Sequence, residues 1–222
     1  MIIATWNVER LKHRKTLDKM LQVIKRIGAE ILVLTETDTR LCPDYPNYYH
    51  TPRLHEIRPD YYRNTENRVS VYSAYKCVKQ YETYDPYTAI CLELETEHGN
   101  LLVYGTIMGI FGNREMSFKT DLKKQMEDIR RLSSKNPHLC VIGDYNLSFN
   151  DHYCFTREGR ELVTHTFQDC GLDLLTGNMP ECIDHIAVTK RTIDHVCGRY
   201  QWNMDKTLSD HMGIAINADL TI

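Results

Sequence analysis

Three short apolar runs that end close to acidic or amide residues constrain this chain more than any other feature of its sequence. The runs cover residues 2–6, 31–34 and 139–142, and their length is typical of buried strands. Strand ends in a rigid sheet can direct several polar side chains to one point. The polar residues that follow the runs, with a further pair near the C-terminal end, are Asn7, Glu36, Asp144 with Asn146, and Asp210 with His211.

The other apolar patterns predict a layered fold. Strands are indicated at residues 69–72, 89–94, 101–106, 183–189 and 211–215, with a hairpin turn at 98–100. Apolar residues at helical spacing predict helices over residues 14–27, 116–132 and 159–170. Groups of strands separated by a few helices favour an α/β sandwich of two packed mixed sheets flanked by helices. No linker or repeat interrupts the pattern, so we expect one domain over residues 1–222.

The carboxylates and amides at the strand ends indicate phosphoester chemistry. A phosphodiester is anionic and water attacks it weakly, so catalysis needs a hard cation, a group that positions the water, and donors that face the phosphate oxygens. Carboxylate and carboxamide oxygens suit Mg²⁺ or Mn²⁺. Each residue alone also has an ordinary structural interpretation: Asn7 could cap a helix, and His185 or His195 could be partly buried histidines without a role in catalysis.

Five motifs resemble those of the endonuclease/exonuclease/phosphatase family in order and in approximate spacing. They are Trp6-Asn7-Val8, Leu34-Thr35-Glu36-Thr37, Gly143-Asp144-Tyr145-Asn146, Ile183-Asp184-His185-Ile186 and Ser209-Asp210-His211. The family includes deoxyribonuclease I, abasic-site endonucleases of the exonuclease III type, tyrosyl-DNA phosphodiesterases, sphingomyelinases and inositol polyphosphate 5-phosphatases. The resemblance covers nearly the whole chain, and it implies a four-layer α/β sandwich.

The resemblance also implies a metal site. Glu36 would bind Mg²⁺ (or Mn²⁺) directly, because its carboxylate supplies the charge that holds a hard cation. Asn7 and Asp210 would hold metal-bound waters or complete the coordination shell. The implied activity is that of a hydrolase that depends on a divalent metal.

The same resemblance assigns four residues to the chemistry. Asp144 would orient or deprotonate the attacking water. Asn146 would donate its amide to the nucleophile or to a phosphate oxygen. His211 would meet the phosphate from the other side, and Asp184 would orient the His211 ring. The sequence predicts the meeting of Asp184 and His211, and a structure can test it.

One departure from the family pattern concerns the phosphate. Abasic-site endonucleases place a tyrosine and then an asparagine just after the strand that here covers residues 101–106. By that alignment Thr106 takes the tyrosine position and Gly109 the asparagine position. The missing tyrosine argues against specific cleavage at abasic sites. Asn113 or Arg114 could reach the phosphate instead, and Arg68 opens a predicted strand where related enzymes often have a glycine.

The net charge of −3 bears on the partner. Binding to duplex DNA gains much of its affinity from Lys and Arg, so proteins with strong non-specific affinity for DNA are usually basic. Positive charge must therefore be concentrated locally. Residues 10–15 lie next to Asn7 and could touch an anionic substrate, whereas the lysines of residues 119–124 are typical of a solvated helix face.

Tyrosine is unevenly distributed, with ten of the fourteen between Tyr45 and Tyr87. Arginines 53, 58, 63 and 68 are interleaved with them. Such a segment can form a stacking platform for the bases of single strands. Tyrosines also pack at sheet edges with their hydroxyls in water, and this structural interpretation accounts for the pattern as well.

The sequence thus predicts a Mg²⁺- or Mn²⁺-dependent phosphodiesterase that acts on a nucleic acid or a nucleotide conjugate, with DNA or RNA as a partner. Alternatives are a phosphatase for a small metabolite, lipid headgroup or inositol phosphate, and a non-catalytic binding module. No apolar stretch approaches membrane-spanning length, and the chain starts inside its first predicted strand. We therefore expect a cytoplasmic protein with reduced cysteines, whereas a secreted protein with disulfides is the alternative.

Overall fold

Two six-stranded sheets pack face to face. The computed structural model describes residues 1–12, 16–109 and 116–222, with residues 116 and 117 described by their backbone alone. The strands in chain order are β1 (Ile2–Asn7), β2 (Ile31–Asp38), β3 (Asn47–His50), β4 (Glu66–Ser73), β5 (Cys77–Tyr81), β6 (Ala89–Thr96), β7 (Gly99–Ile107), β8 (Leu139–Asp144), β9 (Leu172–Leu174), β10 (Asp184–Thr189), β11 (Ile193–Trp202) and β12 (Gly213–Leu220).

Both sheets are mixed. Sheet I has the strand order β11-β12-β1-β2-β4-β3, and sheet II has the order β5-β6-β7-β8-β10-β9. In sheet I, β1 and β2 run parallel, and in sheet II, β7 and β8 run parallel. The carboxyl ends of β1 and β2 therefore lie at the same edge of sheet I.

The helices cover the outer faces of the two sheets. In the described part of the chain they are α1 (Leu17–Ile27), α2 (Met116–Ser133) and α3 (Arg157–Asp169). Helix α1 packs on sheet I, while α2 and α3 pack on sheet II. This order of layers confirms the predicted four-layer α/β sandwich. No helix among the described residues is long and apolar enough to cross a membrane.

Local sequence signals set the helix ends. Gly28 follows α1 in the left-handed conformation, at φ 60°, and its N–H donates to the Ile24 carbonyl. Thr156 caps α3, because its hydroxyl accepts the Gly159 N–H at 3.1 Å.

Side-chain alternation along the strands points the polar strand ends into the space between the sheets. Ile3 on β1, Ile142 on β8 and Ile186 on β10 all belong to the core between the sheets. Side chains two or four residues further along a strand share the same face. Asn7 and Asp144 therefore end their strands on the inner face, and Asp184 begins β10 there.

The strands that the apolar pattern did not predict are β3, β5, β9 and β11. These are the four edge strands of the two sheets. Edge strands are often half exposed and polar, which weakens the apolar signal. Strand β11, for instance, exposes most of its ten residues at least in part. At the C-terminal end, β12 starts at Gly213 and not at the predicted residue 211, so His211 lies in the loop before this strand.

Candidate active site

Four of the predicted residues meet in the cleft between the sheets. Asn7 Nδ2, at the end of β1, donates to Asp144 Oδ2 at 3.0 Å and so links sheet I to sheet II. His211 Nδ1 lies 2.6 Å from Asp184 Oδ2. One ligand-type atom from each of Asp144, Asp184 and His211 lies within 4.8 Å of the other two. The structure therefore brings the motifs of Asp184 and His211 close to Asn7 at the end of β1.

Strand pairing places the two aspartates side by side. Asp184 and Asp144 are direct partners in the antiparallel pair of β10 and β8. The close approach of β8 to β7 requires a glycine before Asp144, because a Cβ on Gly143 would lie 2.0 Å from the Thr106 carbonyl oxygen. Gly143 also has φ 138°, a conformation that glycine adopts without strain.

The loop that carries His211 is fastened to the end of β1. Ser209 Oγ donates to the Asn7 carbonyl at 2.6 Å, and Trp6 Nε1 donates to the His211 carbonyl at 3.0 Å. Asn203 Nδ2 donates to the carbonyls of both Ser209 and His211 at 2.7 Å. These bonds hold the backbone on either side of Asp210 and set the position of the imidazole.

Burial and charge shift the protonation of the cluster. Burial raises the pKa of Asp144, and the neighbouring Asp184 carboxylate raises it further, against the opposing effect of His211. For His211, burial acts to lower the pKa, but Asp184 and Asp144 outweigh it and raise the pKa well above its usual range. The His211 ring is therefore a proton donor at neutral pH, and Asp144 holds a proton more readily than an ordinary aspartate.

Asn146 shapes the Asp144 carboxylate through its backbone. Its N–H donates to Asp144 Oδ1 at 2.9 Å, while its side chain Nδ2 donates to the Met108 carbonyl at 2.6 Å. Asn146 has φ 51°, a left-handed conformation that asparagine tolerates better than most residues. An amide nitrogen carries two hydrogens, so one N–H of this side chain remains for a nucleophile or a phosphate oxygen.

Glu36 lies on the sheet I side of the cleft. The parallel register pairs Asn7 with Thr35, so Glu36 comes one residue later at the same sheet edge. Its carboxylate is about one-third exposed and lies 3.3 Å from Arg10 Nε. The close cluster of possible metal ligands found among the described residues contains Asp144, Asp184 and His211, none of which belongs to the metal set expected from the sequence.

Asp210, the third member of the expected metal set, faces solvent. Its side chain is 61% exposed, and its Oδ1 lies 3.8 Å from His211 Nε2. The Asp210 backbone N–H donates to Glu9 Oε2 at 3.3 Å. Its carboxylate thus borders the cleft on the outer side of His211.

The donor set in the cleft fits a hard divalent cation. Asp184 Oδ1 is buried and has no hydrogen-bond partner within the described ranges. A buried carboxylate oxygen of this kind is costly unless a donor or a cation meets it. Carboxylate and amide oxygens are the ligands that Mg²⁺ and Mn²⁺ prefer, and the cleft brings several of them to one end.

The predicted substrate contacts have different outcomes. Thr106 is fully buried, so its side chain has no exposed atom to offer a substrate. Asn113 and Arg114 lie outside the described residues, as do residues 13–15 of the first basic run. In the second run, Lys119 forms an ion pair with Glu158 on α3. Arg68 is half-buried on β4 and lines a cavity with Glu36.

The structure adds residues that the sequence did not single out. Tyr153 and Lys206 line a cavity of about 230 Å³ with Asp184 and His211. Lys206 Nζ donates to the Tyr153 hydroxyl at 2.9 Å, so a positive charge lies beside the cleft. No motif surrounds either residue in the sequence, and their proximity depends on two loops that are 53 positions apart.

The tyrosine-rich segment serves mainly as structure. Tyr72 stacks on Tyr48, its buried hydroxyl donates to the Leu41 carbonyl, and Tyr49 accepts the Cys77 N–H. Tyr61 is the exception, since its side chain is 65% exposed. His185, for which the sequence offered a structural interpretation, is fully buried and contacts Thr176 and the Leu147 carbonyl. Burial lowers the pKa of His185 to about 4.

Comparison with known proteins gives matches along nearly the whole chain. Among solved structures, the 3′ phosphatase NExo from Neisseria, bound to a product DNA hairpin, has a TM-score of 0.73 at 18% identity, with 99% of each chain covered. The 3′-5′ exonuclease (NExo) from Neisseria meningitidis gives 0.73 at 18%, with 99% of this chain and 100% of that chain covered. The human Nocturnin catalytic domain with bound sulfate gives 0.74 at 16%, with 100% and 93% covered. No curated protein matches by sequence.

At these identities the structural matches show the fold alone. The sequence model of the Endonuclease/Exonuclease/phosphatase family matches residues 4–211 of the chain. That span runs from β1 to the loop of His211, and it includes Asn7, Glu36, Asp144 and Asp184. The chain belongs to the endonuclease/exonuclease/phosphatase family.

Proposed function

We propose that this protein is a Mg²⁺- or Mn²⁺-dependent phosphodiesterase that hydrolyses a nucleic acid or a nucleotide conjugate. The observation that carries the proposal is the cluster in the cleft, where Asp144 and Asp184 at strand ends lie together with His211 from the loop before β12. A merely structural cluster would not need a buried carboxylate oxygen without a partner, as found at Asp184 Oδ1. Membership of a family of nucleases and phosphatases supports the same reaction class.

Asp144 positions the attacking water and accepts its proton. Both of its oxygens are held, one by Asn7 Nδ2 and the other by the Asn146 N–H, so the carboxylate has a fixed direction. Its raised pKa makes it a better proton acceptor than an exposed aspartate. The remaining lone pairs on the two oxygens are the acceptors that a water molecule requires.

His211 stabilises the charge that develops on the phosphate. Asp184 accepts a hydrogen bond from Nδ1, which fixes the ring and favours its protonated form. Nε2 then presents a charged N–H toward the opening of the cleft, on the side of Asp210. A positioned donor of this kind contributes most when it meets a developing negative charge.

Glu36, with Asn7 and Asp210 around it, would hold the cation. When bound, a divalent ion supplies charge neutralisation at the phosphate oxygens and a lower pKa for the attacking water. Glu36 is partly exposed and its present partner is Arg10, so cation binding must compete with this ion pair. Asn7 already accepts the Glu9 N–H at Oδ1, which orients that oxygen at the end of β1.

A phosphatase is the second candidate. NExo from Neisseria is described both as a 3′ phosphatase and as a 3′-5′ exonuclease, and its fold covers nearly all of this chain. The two reactions differ in what is attached to the scissile phosphate, and the cluster in the cleft can serve both. The 3′ end of a strand would be the feature that the two substrates share.

Turnover with Mg²⁺ tests the proposal. The substrates are single-stranded, duplex and abasic DNA, RNA, a 3′-phosphorylated oligonucleotide, bis-p-nitrophenyl phosphate and inositol phosphates. We expect cleavage of at least one nucleotide diester and full inhibition by EDTA. Release of phosphate from the 3′-phosphorylated strand alone would favour the phosphatase. Turnover that survives EDTA, or no turnover with any substrate, would contradict the proposed function.

A further inference from the structure

A cavity of about 210 Å³ beside Glu36 has an unusual lining. Its walls carry two arginines and two tyrosines, and its residues are Arg10, Glu36, Leu54, Tyr61, Tyr62 and Arg68. The cavity combines positive charge with aromatic rings next to the carboxylate that we assign to the cation. Neither the family motifs nor the cluster around His211 accounts for it.

Two strands and two turns build this cavity. Strand pairing joins Thr35 to Val69 and Thr37 to Asn67, so Arg68 on β4 lies across from Glu36 on β2. Arg10 comes from a turn after β1 in which residues 9, 10 and 11 have φ between 50° and 53°. Such left-handed conformations are uncommon for residues other than glycine, so they need support from the surrounding structure.

The aromatic wall follows a short 3-10 turn. The N–H groups of Tyr61 and Tyr62 both donate to the Arg58 carbonyl at 3.1 Å, which fixes the two residues as neighbours. Their rings meet edge to face with centroids 4.7 Å apart. Leu54, which is buried, also lines the cavity. Tyr61 is 65% exposed, and Arg58 Cζ lies 5.8 Å from its ring centroid.

The arginines face these rings. Arg10 Cζ lies 5.6 Å from the Tyr61 ring centroid and 5.4 Å from that of Tyr62, and Arg68 Cζ lies 6.0 Å from Tyr62. The Nε atoms of Arg10 and Arg68 are buried and have no hydrogen-bond partner in the described part of the chain. Buried guanidinium donors are costly unless an acceptor meets them.

The charge in the cavity calls for an anion. Two guanidinium groups face one lining carboxylate, Glu36, which lies near Arg10 Nε without a well-formed hydrogen bond. The Arg10 side chain also forms a hydrogen bond with Tyr61, which leaves its Nε donor without a hydrogen-bond partner among the described residues. The nearby Glu66 is occupied by Arg63, whose N–H donates to it at 3.1 Å. An acceptor with several oxygens, such as a phosphate, would satisfy the unpartnered Nε donors of both arginines.

We propose that this cavity binds an unpaired nucleotide next to the scissile phosphate. Arg10 and Arg68 hold a phosphate of that nucleotide, and Tyr61 stacks on its base. The inference rests on the proposed function, and it narrows the substrate to a single strand or a frayed end, because a paired base cannot reach the ring. An inositol phosphate or a lipid headgroup offers the phosphate but no planar base.

Binding without turnover tests this pocket. The probe is a fluorescein-labelled single strand of about eight nucleotides, a length in the range that one binding domain occupies. Fluorescence anisotropy is read in EDTA, so that hydrolysis does not enter the result. We expect Tyr61→Ala to weaken binding roughly 10-fold, the scale of losing one base–aromatic stack, and Tyr61→Trp to retain it.

Matched controls separate stacking from charge. Tyr200→Ala removes a tyrosine that is 48% exposed on the far edge strand of sheet I, and it should leave binding unchanged. A strand of the same length without bases should bind more weakly to the wild type, and Tyr61→Ala should then add no further loss. Arg68→Ala should weaken both strands alike and reduce the salt dependence of binding.

Several outcomes would overturn the inference. They are equal affinity of the wild type and Tyr61→Ala, equal affinity for strands with and without bases, and no binding of either strand. Hydrolysis of bis-p-nitrophenyl phosphate by the wild type in Mg²⁺, measured in parallel, tests the proposed function separately. Tyrosine-dependent binding without hydrolysis would support the pocket and contradict the enzyme. Hydrolysis together with equal binding by the wild type and Tyr61→Ala would support the enzyme and contradict the pocket.

Discussion

The two sides of the cleft are built in different ways. The catalytic side, as we call it, contains Asp144 and Asp184 from sheet II. Asn7 at the end of β1 and His211 in the loop before β12 reach it from sheet I. Its contacts are hydrogen bonds of 2.6–3.0 Å between buried or partly buried groups. Most of these residues belong to strands, and the loop of His211 is tied down by its backbone. This side has one arrangement that the sheet itself enforces.

The sheet I side, which we call the recognition side, contains Glu36 with Arg10, Tyr61, Tyr62 and Arg68. Its contacts are the ion pair of Arg10 and Glu36 at 3.3 Å and arginine Cζ to tyrosine ring-centroid distances between 5.4 and 6.0 Å. Turns supply three of these residues, and the Tyr61 ring is largely exposed. Reaction chemistry needs groups fixed in place, whereas stacking and charge tolerate small displacements. The comparison therefore predicts that substitutions on the two sides will affect different constants.

Substitution on the catalytic side should have the largest effect. Asp144→Asn should lower kcat by roughly 10²-fold or more, the scale of losing a positioned proton acceptor. Thermal unfolding should occur at the same temperature or higher near neutral pH. The reason is that the raised pKa of Asp144 makes its charge costly in the folded state, and this cost grows as pH rises above the pKa of the unfolded chain. Steady-state kinetics and calorimetry measure both effects. A large fall in Tm would mark Asp144 as structural.

Glu36→Gln should affect the cation more than the chemistry. We expect the Mg²⁺ concentration for half-maximal activity to rise roughly 10-fold or more, because an amide lacks the charge that holds the ion. At saturating Mg²⁺ much of the turnover should return, which distinguishes this variant from Asp144→Asn. Titration of activity with Mg²⁺ gives the answer. An unchanged Mg²⁺ concentration for half-maximal activity would show that Glu36 does not hold the metal and would favour a site at the cluster around Asp184.

Asp184→Asn should change the titration of His211. The Asp184 carboxylate is the main group that raises this pKa, so its removal should lower the His211 pKa by about one unit or more, as followed by NMR of the imidazole. If the protonated ring acts, the alkaline limb of the pH–rate profile moves to lower pH.

The same pair should affect stability. The raised pKa of His211 in the folded wild type stabilises the protein fully below a pH of about 6.5, and this stabilisation is lost as the pH rises through the folded pKa. The difference in Tm between the wild type and Asp184→Asn should therefore become smaller at alkaline pH.

An unmoved His211 pKa in Asp184→Asn would remove the pair from the mechanism. Asp194→Asn is a matched control, because Asp194 is an exposed residue on β11, the outer strand of sheet I. This control should change neither the imidazole titration nor the pH–rate profile.

The smallest effect is expected at Arg10. Arg10→Ala removes the cation that now pairs with Glu36, so Mn²⁺ should bind the free protein about threefold more tightly, in line with the modest energy of a partly exposed ion pair. Calorimetry without substrate measures this constant. The same variant should weaken binding of a single strand, because the pocket loses a phosphate contact. Weaker metal binding in Arg10→Ala would show that Arg10 orients Glu36 and does not compete for it.

The fold could be predicted as far as its inner strands. Runs of Val, Ile and Leu such as residues 31–34 and 139–142 lie in the middle of the sheets and are buried on both faces, so their signal is strong. The four edge strands carry mixed side chains and gave no such signal. The glycine after α1 and the cap of α3 are local features, because each involves contacts within a few residues.

The site could be predicted in part for the same reason. Asn7, Asp144 and Asp184 occupy strand ends, where the side-chain period of two dictates which face they take. Tyr61 belongs to the tyrosine-rich segment, but the sequence did not distinguish it from the tyrosines of that segment that only pack in the structure. Within that segment Tyr61 and Tyr62 contact Arg10, because the turn that follows Leu54 brings them there.

The sequence by itself determined which residues end buried strands, and hence which polar groups lie at the edge of a sheet. It determined this because burial, alternation and strand ends are properties of neighbouring residues. Only the tertiary structure decided that Asn7 bonds to Asp144 across the two sheets, that Arg10 pairs with Glu36, and that Thr106 is enclosed. These contacts depend on how the sheets pack and on the paths of loops between distant segments, and no local pattern encodes those distances.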